Sequence, residues 1–383
     1  MKHLSLVFLF LLSCGGCINP DSNEIPDHLK GIENLKVYPS DESAEHSIQF
    51  EQARVFEESD ELIFGRLRNV AVDDSGRVYI SDAAQSRATI HVFDANGSYI
   101  SSIGGYGEGP GEFRSIISPQ IHDEKLYAMD VRQMRINIYN INSFEYQNSI
   151  QLNPGNWSHI EELSNIFPSD FIILDSNRFL LSFIKIEKHQ YLHYHYLMNN
   201  SGEIISDMIL DQVQSEHFEL PDNRGVYHSP YSPSGNIKVS SADEIYTIWT
   251  EDVLFKKYSL NGEYLSAFYH PFANKTLSNS EVLNYLENEE YKAAVRNTGI
   301  PEKWPAVRSV VMDDKDNFWL ETITESETEN QWWVLSSNGE LLSKFNFPTS
   351  KSSRIVTDDA FFALESDPDT GIQRAVKYQY RFE

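Results

Sequence analysis

Arginine is the side chain in this sequence best suited to holding an anion. Its planar fork of donors matches the oxygens of a carboxylate or sulfate. Arg66, Arg68, Arg114, Arg132 and Arg135 cluster in one stretch of a chain with 31 Lys and Arg against 57 Asp and Glu, a formal net charge of −26. In so acidic a chain a basic focus stands out. Ion pairing with Asp82, Asp130 or Glu112 is the plainer use for these arginines. Trp157, Tyr231 and Trp304, with Tyr106 and Tyr227, offer aromatic faces that stack on sugar rings or anchor a protein. Packing between loops explains them as easily. The expected ligand-binding set is therefore Arg66, Arg68, Arg114, Arg132, Arg135, Trp157, Tyr231 and Trp304.

Other constellations carry less. His193 and His195 share one face of a strand, and His189 lies nearby. Such a pair is a workable start to a metal site, but an outer strand looks the same. The acidic loops 321–329 and 367–371 are rich in oxygen ligands without the spacing of an EF-hand. Calcium is the one ion they suit, and solvated hairpin tips need no ion at all. The glycines at 104–111 lack the helix that a dinucleotide fingerprint requires. No HExxH, GxSxG or P-loop pattern occurs. No catalytic residue, metal ligand or cofactor is assigned.

Cys14 and Cys17 are the only two cysteines. The body of the chain therefore has no disulfide and no thiolate nucleophile. Met1-Lys2-His3 precedes an apolar run, Leu4–Leu12, too short to span a bilayer as a helix. Leu11-Leu12-Ser13-Cys14 resembles the bacterial lipobox. This predicts a signal peptide over 1–13, acylation of Cys14 (Cys17 as second choice), a flexible polar tether over 14–32, and a folded body over 33–383. The resemblance implies a bacterial cell-envelope protein held by its lipid, with the outer membrane as the expected address and no other membrane contact. The net charge argues against nucleic-acid binding.

The elements that position these residues are short strands. Residues 64–113 hold four strand patterns ended by turns: 69–72, 77–80, 89–93 and 98–103, with Asp73-Asp74-Ser75-Gly76 and Asp94-Ala95-Asn96-Gly97 between them. A four-stranded meander of this length is one propeller blade. The run VAVDDSGRVYISD, then R-x-x-I-x-V-F-D-x-x-G-x-x-I-x-x-I-G and GEGPGEF, resembles the NHL repeat. Together with the lipobox, the chain resembles Bacteroidetes-type propeller lipoproteins. The pattern recurs clearly at 310–345 and more weakly elsewhere, predicting an all-β, six-bladed β-propeller. The last blade shows three strand patterns, and the spare segment 48–56 is expected to close it as a fourth strand, hiding a sheet edge. Ser278 and Glu281 fit a capping box. The apolar stripe of Val282, Leu283, Leu286, Tyr291, Ala294 and Val295 predicts a helical insert over 276–297, between blades four and five, across the rim or channel mouth.

Links between first and second strands are tight, whereas 104–115, 153–170, 206–235, 271–306, 185–191 and 322–331 are long. All the long ones belong to one face of the disc. Long links are usually functional or disordered. The expected function is a monomeric, non-enzymatic binding module for a protein or glycan on that face. The alternative is a metal-dependent lactonase- or lyase-like enzyme with its site in the channel, as in some six-bladed relatives.

Overall fold

The computed structural model describes residues 25–383 except 60–61, 85–86, 188–189, 220–225, 229–230, 287 and 368. Both cysteines, the signal segment, most of the tether and His189 lie outside the described residues. The strands form six sheets, each a blade. The blades run over 67–104, 117–151, 167–228, 235–270, 307–348 and 351–382. In each, the first strand is innermost, and neighbouring inner strands line the channel.

Second and third strands are apolar on both faces because each blade is sandwiched between two others. Val78–Asp82 and Phe318–Thr322 are buried throughout. Tyr79, Tyr127, Trp319 and Trp332 fill the spaces between blades. The tight turns are pinned by their own carboxylates. Asp73 Oδ1 accepts the backbone N–H of Ser75 and Arg77 at 3.0 and 2.9 Å, and Asp313 Oδ1 does the same for Lys315 and Asn317 at 2.9 and 2.8 Å. Gly76 takes φ 80° there, a conformation costly for side chains with a Cβ. Each Asp also accepts from a core aromatic on the second strand of its own blade: Tyr79 Oη at 3.1 Å and Trp319 Nε1 at 2.9 Å.

The closing strand is where the sequence placed it. Ile48–Phe56 pairs antiparallel with Gln373–Phe382 and completes the sixth blade. A second N-terminal strand was not foreseen. Leu35–Val37 adds to the edge of blade four, parallel to Ala267–Tyr269. Three residues carry too little periodicity to announce a strand.

Three local expectations are corrected. The fourth strand of blade three is Leu210–Glu219, inside what read as a long link. Residues 200–204, which resembled that strand, form a turn with one bridge from Ile204 to Met198. The 185–191 segment is not a loop, since Lys185–Glu187 pairs with Gln190–Leu192 and prolongs the hairpin. The insert is two helices, α1 (Asn279–Tyr285) and α2 (Glu289–Thr298), because Asn288 caps a second start by accepting from Glu290 N. The Ser278–Glu281 capping box is present. Val282, Leu286, Ala294 and Val295 are buried with Tyr231 and Leu277, so the apolar stripe seats the insert, and α2 touches the outer strand of blade three.

Candidate functional site

The channel wall is shaped by β-bulges. In five of six inner strands the register with the second strand slips, at 67–70, 117–120, 168–170, 307–309 and 353–355. A bulge leaves a residue unpaired and re-aims its side chain. The residues released this way include Arg68, Ser118, Ser169, Arg308 and Arg354. Three of them are arginines, on the adjacent blades five, six and one.

The opposite half of the wall is internally satisfied. Ser118 Oγ donates to Asp170, which also accepts Phe171 N at 2.8 Å. Lys238 faces Asp170 from blade four, and Asp170 supports its charge against the burial that lowers it. Both residues touch solvent yet are surrounded by protein, as wall residues of a narrow channel are.

On the arginine half, burial lowers the pKa of Arg354, and Arg68 adds to the effect, with Glu321 opposing it. Arg68 is lowered by burial and then by Arg66. Glu321 is buried and already engaged, accepting Ser309 Oγ at 2.8 Å and Asn330 Nδ2 at 2.6 Å, with Arg308 Nε 3.6 Å away.

Beside this wall lies a cavity of about 480 Å³ between blades five and six. Trp304, Lys275, Arg308, Asn330 and Thr324 border it. Trp304 stands at the neck of the helical insert, where its backbone N–H donates to Lys275 O at 2.8 Å. Lys275 Nζ lies 5.8 Å over the indole and 2.8 Å from Glu281 Oε1. A smaller cavity, about 310 Å³, joins Arg114, Arg132 and Tyr106 near blades one and two. Arg114 stacks 4.7 Å over Tyr106, with Glu108 at 3.6 Å.

The remaining expected residues divide by role. Arg66 and Arg132 are exposed, and only their backbone N–H groups bind Asp82 and Asp130, at 2.7 and 3.0 Å. Those carboxylates pin the links rather than neutralise the arginines. Burial pushes Asp82 up, but bonds from His91 and the N–H groups of Arg66, Gly65 and Ala84 outweigh it and bring the pKa to about 2. Arg135 braces the glycine-rich link, donating to Gly109 O and Glu112 O at 2.7 Å each. Trp157 is buried against Phe183 between blades two and three. Tyr231 is buried beneath the helices, edge-on to Trp304.

Arg308, Arg354 and Lys238 went unnoticed in the sequence, and Glu321 was read only as part of an acidic loop. The place of Arg308 and Arg354 depends on bulges, and a one-residue slip leaves no compositional mark. His195 is buried with Nδ1 2.9 Å from Ser182 Oγ, and His193 lies 3.4 Å from Ser169 Oγ. Among the described residues no three His, Cys, Asp or Glu side chains gather as a metal site would need. In the acidic loops Glu325, Glu327 and Glu329 point to solvent, and Asp367 caps its own turn through the N–H groups of Asp369 and Thr370.

Comparison with known proteins agrees with the architecture. The family model DUF5128, described as a 6-bladed beta-propeller, matches residues 55–224. A Bacteroides fragilis protein called exported shares 14% identity over 91% of this chain and 99% of its own, with TM-score 0.52. A member of the DUF4221 family from Bacteroides vulgatus shares 12% identity over 88% of this chain and 99% of its own, with TM-score 0.57. At such identities these structures show the fold. No curated protein is similar to the chain in sequence.

Proposed function

We propose that this chain is an exported, lipid-anchored, monomeric propeller of NHL-like sequence that binds a glycan on its long-loop face. The cavity beside Trp304 carries the reading. It joins one aromatic face to a ring of hydrogen-bonding groups from Arg308, Asn330 and Thr324. Sugar rings present an apolar face and a rim of hydroxyls, which is the complement of that lining. A protein partner would use a flatter and more apolar surface. Arg308 offers a forked donor to sugar oxygens, and Glu321 and Glu327 in the same lining offer acceptors to hydroxyls.

Binding of acidic and neutral oligosaccharides to the detergent-extracted full chain tests this. Trp304→Ala should weaken the saccharides that bind about tenfold, or ~1.4 kcal/mol. Equal binding by the variant would reject the site. The exported B. fragilis neighbour supports the envelope address. Cys14→Ala should abolish acylation and move the protein out of the membrane fraction. Unchanged fractionation and acylation would reject Cys14 as the anchor.

A further inference from the structure

We propose that the channel holds a tetrahedral divalent oxyanion, of the sulfate or phosphate type, between Arg68, Arg308 and Arg354. The site is separate from the sugar-facing cavity, sharing only Arg308 with it, and does not depend on what that cavity binds.

Three observations carry it. First, the arginines reach the channel by the same device, the inner-strand bulge, on three consecutive blades. A bulge that presents a cation to a channel on each of three neighbouring walls is a built feature, since bulges elsewhere on the wall present serines instead. Second, the charges do not balance locally. Arg68, Arg308, Arg354 and Lys238 face Asp170 and Glu321, four cations against two carboxylates. Asp170 faces Lys238, and Glu321 alone faces both Arg308 and Arg354, so three guanidiniums share one carboxylate; Arg68 and Arg354 have no side-chain hydrogen bond or ion pair among the described residues. Third, Arg68 stands near enough to Arg354 to disfavour its charge, although both side chains are reached by solvent. Like charges held near one another repel, and less so where solvent reaches them. In a protein of net charge −26, such a cluster of arginines is a local focus of positive potential that draws an anion.

The ligand class follows from the geometry. Guanidinium donors approaching from three successive walls require oxygens that point in more than one plane. A tetrahedral oxyanion supplies them, and its two negative charges match the excess left by three arginines sharing Glu321. A single carboxylate offers two coplanar oxygens and one charge.

The test is thermal unfolding of the full chain in sodium sulfate or sodium phosphate, up to 20 mM, against sodium chloride at equal ionic strength. A monosaccharide sulfate ester and its unsulfated sugar serve as a further pair. A ligand that binds only the folded state raises Tm by mass action. Wild type should gain roughly 2 °C or more with sulfate or phosphate over chloride. Arg354→Gln and Arg68→Gln should each weaken that response at least tenfold in apparent Kd. In chloride alone both variants should melt at or above the wild-type temperature, because repulsion is relieved. A structural arginine would do the opposite. Trp304→Ala should keep the sulfate response, which separates this site from the glycan reading. A response to free sulfate assigns a free ion, and a response to the ester alone assigns a sugar-borne group. Wild type insensitive to all of these, variants responding like wild type, or variants less stable than wild type in chloride would each overturn the proposal.

Discussion

Acidification from pH 7 to 4.5 should remove roughly 6 kcal/mol of stability through three histidines: half-buried His193 and buried His195 of blade three, and buried His270 of blade four, which burial pushes down to about 4 despite its bond to Gly339 O. Burial pushes His193 down to about 4; burial and then the charge of His193 push His195 down to about 3. In the unfolded chain all three titrate near 6.5. Above that value both states hold neutral imidazoles, and pH has no leverage through them. Below it the unfolded chain takes up protons that the fold refuses. Stability then falls by about 1.4 kcal/mol per pH unit for each histidine, and the loss levels off as pH passes the folded values. Asp82 acts in a different window. Its folded value near 2 gives stability that is complete above the usual carboxylate range and lost only as pH falls toward 2. Urea unfolding at pH 7, 6, 5 and 4.5 measures the slope. His195→Gln can keep a hydrogen bond to Ser182 and cannot be protonated, so it should remove about a third of the loss. An unchanged slope in that variant would remove His195 from the account. Against a total of about 5–15 kcal/mol for a typical domain, the effect is large enough to read without ambiguity.

Trp319→Ala should cost about 3–5 kcal/mol. The indole is fully buried, with its ring 4.9 Å from Tyr380, 5.9 Å from Phe345 and 6.0 Å from Phe361. Tyr380 belongs to the strand that pairs with Ile48–Phe56, so Trp319 packs the seam where the ring closes. Removing it leaves a cavity that strands held on both sides fill poorly. It also takes the Nε1 donor from Asp313, the carboxylate that pins the neighbouring turn. Trp319→Phe restores much of the volume but not the donor, and should cost clearly less. The measurement is the urea midpoint at constant m-value. A loss below about 1 kcal/mol for the alanine variant would show that the seam repacks freely.

The repeat was legible because it is local. Alternating apolar residues, Asp-rich turns and Gly97 announce strands and hairpins within a few residues of one another. The same holds for the capping box of Ser278 and Glu281 and for the spare strand at 48–56. The candidate site was legible in part. Arg68 and Trp304 stand at the wall and its mouth, whereas Trp157 and Tyr231 are packed in the core and Arg135 braces a link. Nothing in the spacing of Arg135 separates it from Arg68, since both are arginines in or beside a strand.

Local pattern thus determined by itself the six blades, their closure and the two-helix insert's starting cap, because strand alternation and turn chemistry act over a few residues. Tertiary structure alone decided the rest. Arg68, Arg308 and Arg354 are 240 and 46 positions apart along the chain. They become neighbours only because the ring closes between blades six and one, and they face the channel only because each inner strand slips its register at that point. The outer strand Leu210–Glu219 and the parallel addition of Leu35–Val37 were likewise settled by the edges available to them, a property of the assembled sheets.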